Sequence, residues 1–532
     1  MEKFFDFAFE PQLENTDEMY FRSNGFSLEQ GVFMAKNETA SISFDTYFNM
    51  IPVNKLRKFT SAEKIFFEIE GDAIETELFS VSENGTVSLG KSCCIDICDI
   101  PENEVYIFPK IKAAGANPII RSISVFLDGE ISNINAALII CTYNREEYVI
   151  PNVNYLSAEI EKRGLPIKII LVDNAKTLSE AQFPDKAVLI SNENTGGSGG
   201  FGRGMKAAAE MKEFTHFILM DDDVKFDFVS FEKLLGFLKF RNKESENISI
   251  SGSMLYLDKP DTQFESGGFF TENGIQKGCG HFLDMTDRKN LLDNEQPKNI
   301  NYGGWWLMCI PMKYVNDGNY PLPFFIKYDD VEYALRCRLD IITLNGVSVW
   351  HEPFEWKYNS SSEYYNMRNF LFLRSITDSS FTKRQAKKIA HKQILENHCR
   401  QQYKMAEAVK LGYEDFLKGM DFLYELGPDE NHQKICRLNY EMLSEEELSE
   451  KYGVKFSREK YEESLGKRYR WYMRPLLYGL LIPKCFCKKD YAVVDAFFDR
   501  KEMYFGISKV LHYNPGIKRG YLTYKKKGQR KI

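Results

Sequence analysis

The 532-residue sequence has no apolar stretch long enough to cross a bilayer, so we predict no membrane-spanning helix. Its first residues do not place an apolar core after a basic segment, and we therefore expect no signal peptide. The 11 cysteines lack the regular spacing of a disulfide framework, which favours reduced thiols in the cytoplasm. A net charge of −7 argues against a nucleic-acid-binding protein, whereas 43% hydrophobic residues indicate several well-packed domains.

Acidic residues slightly outnumber basic ones overall, but positive charge concentrates near the C-terminus, where residues 466–532 hold 17 Lys and Arg against 4 Asp and Glu. We predict that residues 381–532 form a helical, basic C-terminal region. Within it, Arg468–Lys489 mixes aromatic, short apolar and basic segments, a pattern typical of a segment that lies on an anionic membrane surface. The alternative is a basic helical subdomain with a disordered tail. Nucleic acid is a less suitable partner than a membrane surface for this region, because Leu and Ile residues lie between its basic residues.

Short runs of alternating apolar and polar residues fill positions 1–132, separated by turn-like segments such as Glu83-Asn84-Gly85. This spacing predicts an N-terminal β-sandwich or jelly-roll domain. Both carbohydrate binding and a scaffold role suit such a module. A cysteine cluster at positions 93, 94 and 98 has no second pair at zinc-site spacing, so we interpret it as a set of thiols.

Residues 133–380 alternate between the patterns of buried strands and helices. Ala136–Cys141, Pro166–Val172 and Ala187–Ser191 predict parallel strands, each followed by polar residues. Because ligands of a doubly wound sheet bind at the carboxyl ends of its strands, Arg145 and Asp173 are candidates for contacting the base and ribose of a nucleotide. A loop salt bridge and a helix cap are the structural alternatives for these two residues.

A glycine-rich segment, Asn194–Gly204, follows the third predicted strand and precedes a predicted helix at Met205–Lys212. Glycine lets backbone N–H groups approach a diphosphate, and a helix N-terminus favours the same negative charge. The segment has neither the Gly-Lys-Ser/Thr of a Walker A loop nor the position of a Rossmann fingerprint. We predict a diphosphate-binding loop here, with a flexible lid over the site as the alternative.

Three consecutive acids, Asp221, Asp222 and Asp223, end the apolar run Phe217–Met220. Adjacent carboxylates repel one another unless a cation lies between them. Because side chains alternate along an extended backbone, Asp221 and Asp223 can point the same way and offer two oxygen ligands to Mn²⁺ or Mg²⁺. The alternative is a solvated acidic turn or a helix cap.

Aromatic, acidic and imidazole side chains follow further along the chain. Trp305 and Trp306 offer faces on which a sugar can stack, although paired tryptophans are more often core residues. Asp329-Asp330 precede a helical pattern, so they either cap that helix or place a general base in a cleft. His351 ends a predicted strand and is either a structural residue or a ligand that would favour Mn²⁺ over Mg²⁺.

Several motifs occur in a fixed order: SFDTYFNMIPVNKLRK from Ser43, TYNRE from Thr142, NTGGSGGFGRGM from Asn194, MDDDV from Met220, GGWWLMCIP from Gly303, PFFIKYDDVEYALR from Pro323, VWH from Val349 and YYNMRN from Tyr364. From about Ser41 to Phe370 the sequence resembles the bacterial galactofuranosyltransferases of glycosyltransferase family 2, including the mycobacterial polymerising enzyme. The resemblance implies a GT-A fold, the α/β core of nucleotide-diphospho-sugar transferases. This core would lie between the N-terminal β-sandwich and the helical C-terminal region.

The resemblance also implies roles for individual residues. Asp221, Asp223 and His351 would bind the metal ion, and Asp330 would act as the general base. The nucleotide-sugar would contact Thr142, Arg145, Asp173, Gly196, Gly197, Ser198, Gly199, Gly200, Arg203 and Asp222. The donor and acceptor sugars would lie near Trp305, Trp306, Asp329, Glu265 and Asn366. Asn366 stands where the mycobacterial enzyme has a histidine, a departure that bears on acceptor recognition, linkage and the choice of sugar.

The activity implied is an inverting, metal-dependent transfer of galactofuranose from UDP-galactofuranose to a glycan acceptor that is lipid-linked in most such pathways. This UDP-sugar-dependent hexosyltransferase would serve bacterial cell-envelope polysaccharide synthesis. It would be cytoplasmic and peripheral on the inner face of the membrane, alone or as a homo-oligomer. The alternatives are the same fold with a rhamnosyl or hexopyranosyl donor, and a non-catalytic carbohydrate-binding scaffold. The complete set of Asp221, Asp223, Asp330 and His351 argues against the scaffold.

Overall fold

A computed structural model describes residues 1–184, 187–315, 318–354, 358–399 and 402–443, together with Glu447, Glu450, Cys485–Lys488 and Tyr491–Val494. The chain divides into two compact units, Met1–Leu322 with Asp330–Glu352, and Pro323–Asp329 with Pro353–Ile532. The predicted boundaries after residues 132 and 380 stay a prediction.

Eleven strands and one short helix precede the first parallel strand of the chain. They are β1 (Glu2–Asp6), β2 (Arg22–Asn24), β3 (Phe26–Glu29), β4 (Val32–Ala35), β5 (Ser41–Ser43), α1 (Val53–Phe59), β6 (Lys64–Asp72), β7 (Ile74–Ser82), β8 (Gly85–Gly90), β9 (Cys94–Asp96), β10 (Tyr106–Ala113) and β11 (Ile119–Asp128). They form two antiparallel sheets, one in the order β3-β4-β11-β6-β9 with β1 paired to β11, the other in the order β2-β5-β10-β7-β8.

Alternation of side chains explains why these strands stack into two layers. Along β11, Ile123, Val125 and Leu127 are buried, while the residues between them are more exposed. Aromatic rings fill the interior: Phe33 of the first sheet lies 6.1 Å from Phe44, which directly follows β5 of the second. A sheet-rich N-terminal domain is therefore present, as predicted.

The central layer of the first unit is a mixed sheet of seven strands in the order β14-β13-β12-β15-β23-β17-β24. Four are parallel neighbours, β12 (Ala136–Thr142), β13 (Ile167–Asp173), β14 (Ala187–Ser191) and β15 (His216–Asp221), and β23 (Leu307–Pro311) runs antiparallel to β15. The other two are β17 (Ile248–Ser251) and β24 (Asp340–Ile342). β12 and β15 read as nearly continuous apolar runs, as expected for strands covered on both faces.

A second sheet in the order β16-β25-β18-β19-β22 lies within the same unit. Its strands are β16 (Lys225–Phe226), β18 (Ser253–Tyr256), β19 (Thr262–Glu265), β22 (Leu283–Asp284) and β25 (Ser348–His351), and a separate hairpin joins β20 (Gly268–Phe270) to β21 (Gln276–Gly278). The helices are α2 (Glu146–Arg163), α3 (Gly196–Met211), α4 (Val229–Lys239), α5 (Arg288–Glu295) and α6 (Asp329–Cys337). Lys55 of α1 forms a buried ion pair with Glu295 of α5, which ties the N-terminal sheets to this region.

The glycine-rich segment corrects one prediction. Most of it is not a loop, because α3 begins at Gly196 and not at Met205. Gly200 and Gly204 lie one turn apart and face β12: an added Cβ would come within 2.1 Å of the Cys141 sulfur and 2.3 Å of Ile139. The glycines therefore allow a helix to pack closely on the sheet.

The second unit is helical over most of its described residues. It contains α7 (Ser360–Thr377), α8 (Lys383–Cys399), α9 (Tyr403–Leu417), α10 (Met420–Glu425) and α11 (Pro428–Cys436), with three short strands β26 (Met442–Leu443), β27 (Cys485–Lys488) and β28 (Tyr491–Val494). Apolar side chains of α7, α8 and α9 form its core. None of the helices in the described part of the chain has the length and apolarity to span a membrane. The predicted surface segment Arg468–Lys489 lies outside the described residues except at β27.

Candidate active site

The three consecutive acids stand where β15 ends. Asp221 is the last residue of the strand, and the chain turns at Asp222 and Asp223. β12 and β13 run parallel to β15 and end at the same edge of the sheet, so Thr142 and Asp173 terminate neighbouring strands. The predicted strand-end arrangement of polar side chains is therefore present.

Asp222 is buried and is held by protein groups. The Thr142 hydroxyl donates to its Oδ2 at 2.6 Å, and Arg145 Nη1 donates to its Oδ1 at 3.0 Å. The same Arg145 nitrogen lies 2.7 Å from Asp223 Oδ2. Asn152 donates to the backbone carbonyls of Asp222 and Val224 and fixes the turn. Arg145 thus neutralises part of the acidic turn, and its predicted contact with a nucleotide stays a prediction.

Asp221, Asp223 and His351 meet at this edge. One ligand atom from each residue lies within 4.8 Å of those of the other two. His351 ends β25 in the second sheet, and its Nε2 lies 3.3 Å from Asp223 Oδ1. Its Nδ1 faces the backbone carbonyl oxygen of Glu352, which can only accept a hydrogen bond. Nδ1 therefore carries a proton, and Nε2 is the ring nitrogen that a metal ion between the two carboxylates would use.

This donor set fits a divalent cation. Two carboxylate oxygens and one imidazole nitrogen are ligand types that Mn²⁺ accepts readily. In the protein alone, burial raises the pKa of Asp221 to about 6, with the nearby His351 opposing and Asp223 adding to the shift. Burial also raises the pKa of Asp222. Carboxylates that are this costly to ionise gain most from a cation beside them.

Two of the remaining predicted nucleotide residues, Asp173 and Ser198, have structural partners of their own. Both carboxylate oxygens of Asp173 accept backbone N–H groups, from Ala175 and Leu178, each at 2.8 Å. Ser198 is buried in the first turn of α3 and donates to the carbonyl of Leu322 at 2.5 Å. Arg203 lies two turns into the same helix and is partly exposed. The N-terminus of α3 lies just beyond the carboxyl end of β14, where a diphosphate would benefit from it.

The two tryptophans are mostly buried. Trp305 packs edge-on against Phe201 of α3 at 5.5 Å and against Tyr333 of α6 at 6.0 Å. The Trp306 indole N–H donates to the Gly252 carbonyl at 2.8 Å. These contacts give both residues a core role, and their predicted contact with sugar stays a prediction.

A second acidic group surrounds Glu265. Burial and the nearby charge of Asp330 raise the pKa of Glu265 to about 8, and a hydrogen bond with Tyr302 only partly offsets this. Glu265 is therefore mostly protonated at neutral pH, while Asp330 accepts the backbone N–H of Val331 at 2.8 Å. The proximity of Glu265 to Asp330 agrees with their predicted presence in one site. Tyr302 is an unpredicted member of this group.

Asp329 and Asn366 belong to the second unit. Asn366 donates to the Tyr358 hydroxyl at 3.1 Å. The backbone before the two acids is unusual, because Phe325, Lys327 and Tyr328 all have φ between 64° and 74°.

Two buried side chains of α7 hold this strained segment. Asn369 donates to the carbonyls of Phe324, Ile326 and Lys327 at 2.8 to 3.1 Å. Arg368 donates to the Phe324 carbonyl at 2.6 Å and to Asn369 Oδ1 at 2.9 Å. Sequence reasoning noted the YYNMRN motif but assigned no role to its last two residues.

Comparisons with known proteins agree with this description. Residues 137–288 match the family model described as Glycosyl transferase family 2. The chain is 24% identical over 378 residues to Galactofuranosyltransferase GlfT2 of Mycolicibacterium smegmatis, and 22% identical over 377 residues to that of Mycobacterium tuberculosis. Each match covers 63% of this chain but only 58% of the relative.

Two solved structures share a weak similarity with this chain. Residues 1–349 of S. aureus TarS share 13% identity at a TM-score of 0.32, covering 61% of this chain and 93% of that one. The mannosyltransferase PcManGT from Pyrobaculum calidifontis, in complex with GDP-Man and Mn²⁺, shares 12% identity at a TM-score of 0.30, covering 58% and 85%.

The family match includes β12 to β15, α3 and the acidic turn, and it confirms the predicted resemblance and the GT-A core. Residues 137–288 thus match the family 2 glycosyltransferase model on a GT-A core, in a chain whose sequence is similar to those of mycobacterial galactofuranosyltransferases.

Proposed function

We propose that this protein is an inverting, metal-dependent glycosyltransferase that transfers galactofuranose from UDP-galactofuranose to a glycan acceptor. Glycosyl transfer follows from the family 2 domain, and the choice of donor is supported by the similarity to galactofuranosyltransferases. The observation that carries the proposal is the convergence of Asp221, Asp223 and His351, with His351 Nε2 only 3.3 Å from Asp223 Oδ1.

Asp221, Asp223 and His351 would hold the cation, and the imidazole favours Mn²⁺ over Mg²⁺. When bound, such an ion neutralises the diphosphate of the departing UDP. Arg145 and the N-terminus of α3 would add positive charge at the same end of the sheet. The chain would then stabilise a leaving group that carries more charge in the transition state than in the bound donor.

Asp330 would take the proton from the acceptor hydroxyl. Because burial keeps Glu265 mostly protonated, the neighbouring Asp330 does not have to share the site with a second negative charge. A neutral Glu265 can also donate a hydrogen bond to an acceptor oxygen. A single base and no enzyme nucleophile lead to inversion at the anomeric carbon, as in inverting glycoside hydrolysis.

A lipid-linked acceptor suits the concentration of basic residues after position 465, which would favour an anionic membrane surface. On this basis we place the enzyme on the cytoplasmic face of the cell membrane, in cell-envelope polysaccharide synthesis.

A donor screen tests the proposal. Release of the nucleoside diphosphate, which is UDP from the UDP-sugars and dTDP from dTDP-rhamnose, would be measured with UDP-galactofuranose, UDP-galactopyranose, UDP-glucose and dTDP-rhamnose. Each donor would be tested with Mn²⁺ and with EDTA, on a synthetic octyl galactofuranoside acceptor. Mn²⁺-dependent turnover of the furanose donor alone is the expected result. Turnover of another donor would retain the enzyme class and reject galactofuranose as the transferred sugar. A transferase of the same fold with another sugar donor is therefore the second candidate function, because Asn366 stands where the mycobacterial enzyme has a histidine.

A further inference from the structure

Five aromatic rings form a row of successive contacts, four of them in the second sheet and its loops and the fifth, Trp306, directly before β23. Trp306 lies 6.2 Å from Phe264, Phe264 lies 5.3 Å from His281, and His281 lies 5.8 Å from Phe282. Tyr256 stacks on Phe282 at 6.1 Å with an interplanar angle of 15° and contacts Phe264 edge-on at 5.6 Å. Successive contacts of this kind make one surface rather than scattered rings.

The row adjoins the candidate metal site at Tyr256. Tyr256 ends β18 and pairs in parallel register with His351, the last residue of β25. Phe282, which stacks directly on Tyr256, is 66% exposed and reaches solvent. An exposed aromatic ring therefore lies one stacking contact away from a residue that is paired with a proposed metal ligand.

The exposed ring of Phe282 belongs to a residue whose backbone is strained. Phe282 has φ of 56°, a conformation that bulky residues rarely adopt. Its backbone N–H donates to the Gln263 carbonyl at 2.8 Å, and His281 Nδ1 donates to the Phe264 carbonyl at 2.5 Å. Core packing does not explain a strained, exposed phenylalanine, and strain of this kind concentrates at ligand sites.

Polar groups flank the aromatic faces. With Nδ1 protonated, His281 presents an acceptor Nε2, which lies 3.6 Å from Glu265 Oε2. Glu265 in turn lies close enough to Asp330 for the charge of Asp330 to raise the pKa of Glu265. A sugar ring has apolar C–H faces and a rim of hydroxyl groups, so it matches an aromatic face bordered by hydrogen-bonding atoms.

We propose that Phe282 and His281 form a subsite for the acceptor glycan, which binds a sugar residue at a distance from the reacting hydroxyl. This inference rests on the proposed transfer reaction and adds that the acceptor is an oligosaccharide rather than a single sugar. Uracil is the other flat ring that such a surface could hold. The row belongs to the sheet of β18 and β19, however, whereas the predicted nucleotide residues lie at the ends of β12 and β13 and on α3.

The test compares Phe282→Ala with the wild-type full chain on octyl galactofuranosides of one to four sugars. We expect the KM for the longer acceptors to rise about two- to tenfold, with the single sugar unaffected, because one stacking contact is lost. Phe282→Tyr should restore the wild-type KM. Tyr424→Ala is the matched control, since Tyr424 is also aromatic and 66% exposed but lies in α10. Thermal melting checks that each variant is folded.

Three results would overturn the subsite. They are an unchanged KM for every acceptor length, an equal rise with the single sugar, or a weaker affinity for UDP. If the wild type transfers no sugar, the proposed function fails by itself. Saturation-transfer NMR with the tetrasaccharide then decides the subsite alone: loss of binding in Phe282→Ala but not in Tyr424→Ala supports it, and equal binding rejects it.

Discussion

Two acidic turns of this chain are built in different ways. Asp221–Asp223 follow a regular buried strand, and their neighbours in space come from the ends of other strands. Asp329-Asp330 follow three left-handed residues, and the carbonyls of that segment are held by Arg368 and Asn369, about 40 positions later. The first turn is thus set by regular sheet geometry, whereas the second depends on side chains from a distant helix.

This difference agrees with two separate tasks. Ligands for a cation need only converge at a short distance, and alternation along a strand achieves this. A general base must meet one hydroxyl group in a defined geometry, and a strained backbone fixed by buried hydrogen bonds restricts its freedom.

The largest effect is expected for Asp330→Asn, which removes the proposed base and keeps the shape of the side chain. The transfer rate should fall by about 10²- to 10⁴-fold, since an amide cannot accept the proton. The affinity for UDP in the presence of Mn²⁺ should be unchanged. Steady-state kinetics and calorimetry measure the two quantities, and a normal turnover number would remove Asp330 from the mechanism.

The next variant, His351→Gln, removes a proposed metal ligand beside the first turn, Asp221–Asp223. Losing one of three proposed ligands should raise the Mn²⁺ concentration needed for half-maximal activity by about 100-fold or more. Trp350→Phe, in the same strand but with its side chain in the core, is the control and should leave this concentration unaltered. An unchanged metal requirement in His351→Gln would show that the imidazole is only structural.

Asn369→Ala should disturb the second turn alone. The carbonyls of Ile326 and Lys327 lose their side-chain donor in a buried site, and that of Phe324 keeps only Arg368, so we expect the free energy of unfolding to fall by about 2 to 4 kcal/mol. Asn366→Ala loses one hydrogen bond from a partly exposed side chain and should cost about 1 kcal/mol or less. Urea denaturation compares the two, and equal losses would contradict the assigned role of Asn369.

The smallest effect concerns pH. Folding raises the pKa of Glu265 from 4.5 to about 8, so the folded chain binds this proton more tightly than the unfolded chain. Its contribution to stability is present below about pH 4.5 and is lost as the pH rises to about 8. Glu265→Gln should therefore gain stability relative to the wild type across this range.

The groups that face Glu265 are Asp330, Tyr302, His281 and Cys279. Gln keeps the shape of a protonated Glu, so their environment changes little in the variant. Unfolding curves at several pH values measure the difference, and parallel pH profiles of the two proteins would contradict the raised pKa.

The sequence predicted the parts of the site that follow local rules. The apolar run before Asp221 indicated a buried strand, and alternation placed Asp221 and Asp223 together. The glycine-rich segment was misassigned because glycine is a poor helix former in isolation, although the four-residue spacing of Gly196, Gly200 and Gly204 is the period of a helix face. Close packing on β12 outweighs that propensity.

Other features could not be read from local patterns. Tyr302 meets Glu265, and Asn369 meets residues 324–327, only through the tertiary fold. The raised pKa of Glu265 likewise depends on burial and on Asp330, 65 positions away. The YYNMRN motif marked the position of Asn369, but nothing in its spacing revealed which backbone it would hold.

The division of labour between the two acidic turns is tested most directly by titrating Mn²⁺ and UDP into the wild type, Asp223→Asn and Asp330→Asn by calorimetry, with UDP release from UDP-galactofuranose measured on the same samples. We predict that Asp330→Asn binds Mn²⁺ and UDP like the wild type but does not turn over, and that Asp223→Asn loses Mn²⁺ binding as well as turnover. Loss of Mn²⁺ binding in Asp330→Asn, or its retention in Asp223→Asn, would contradict this account.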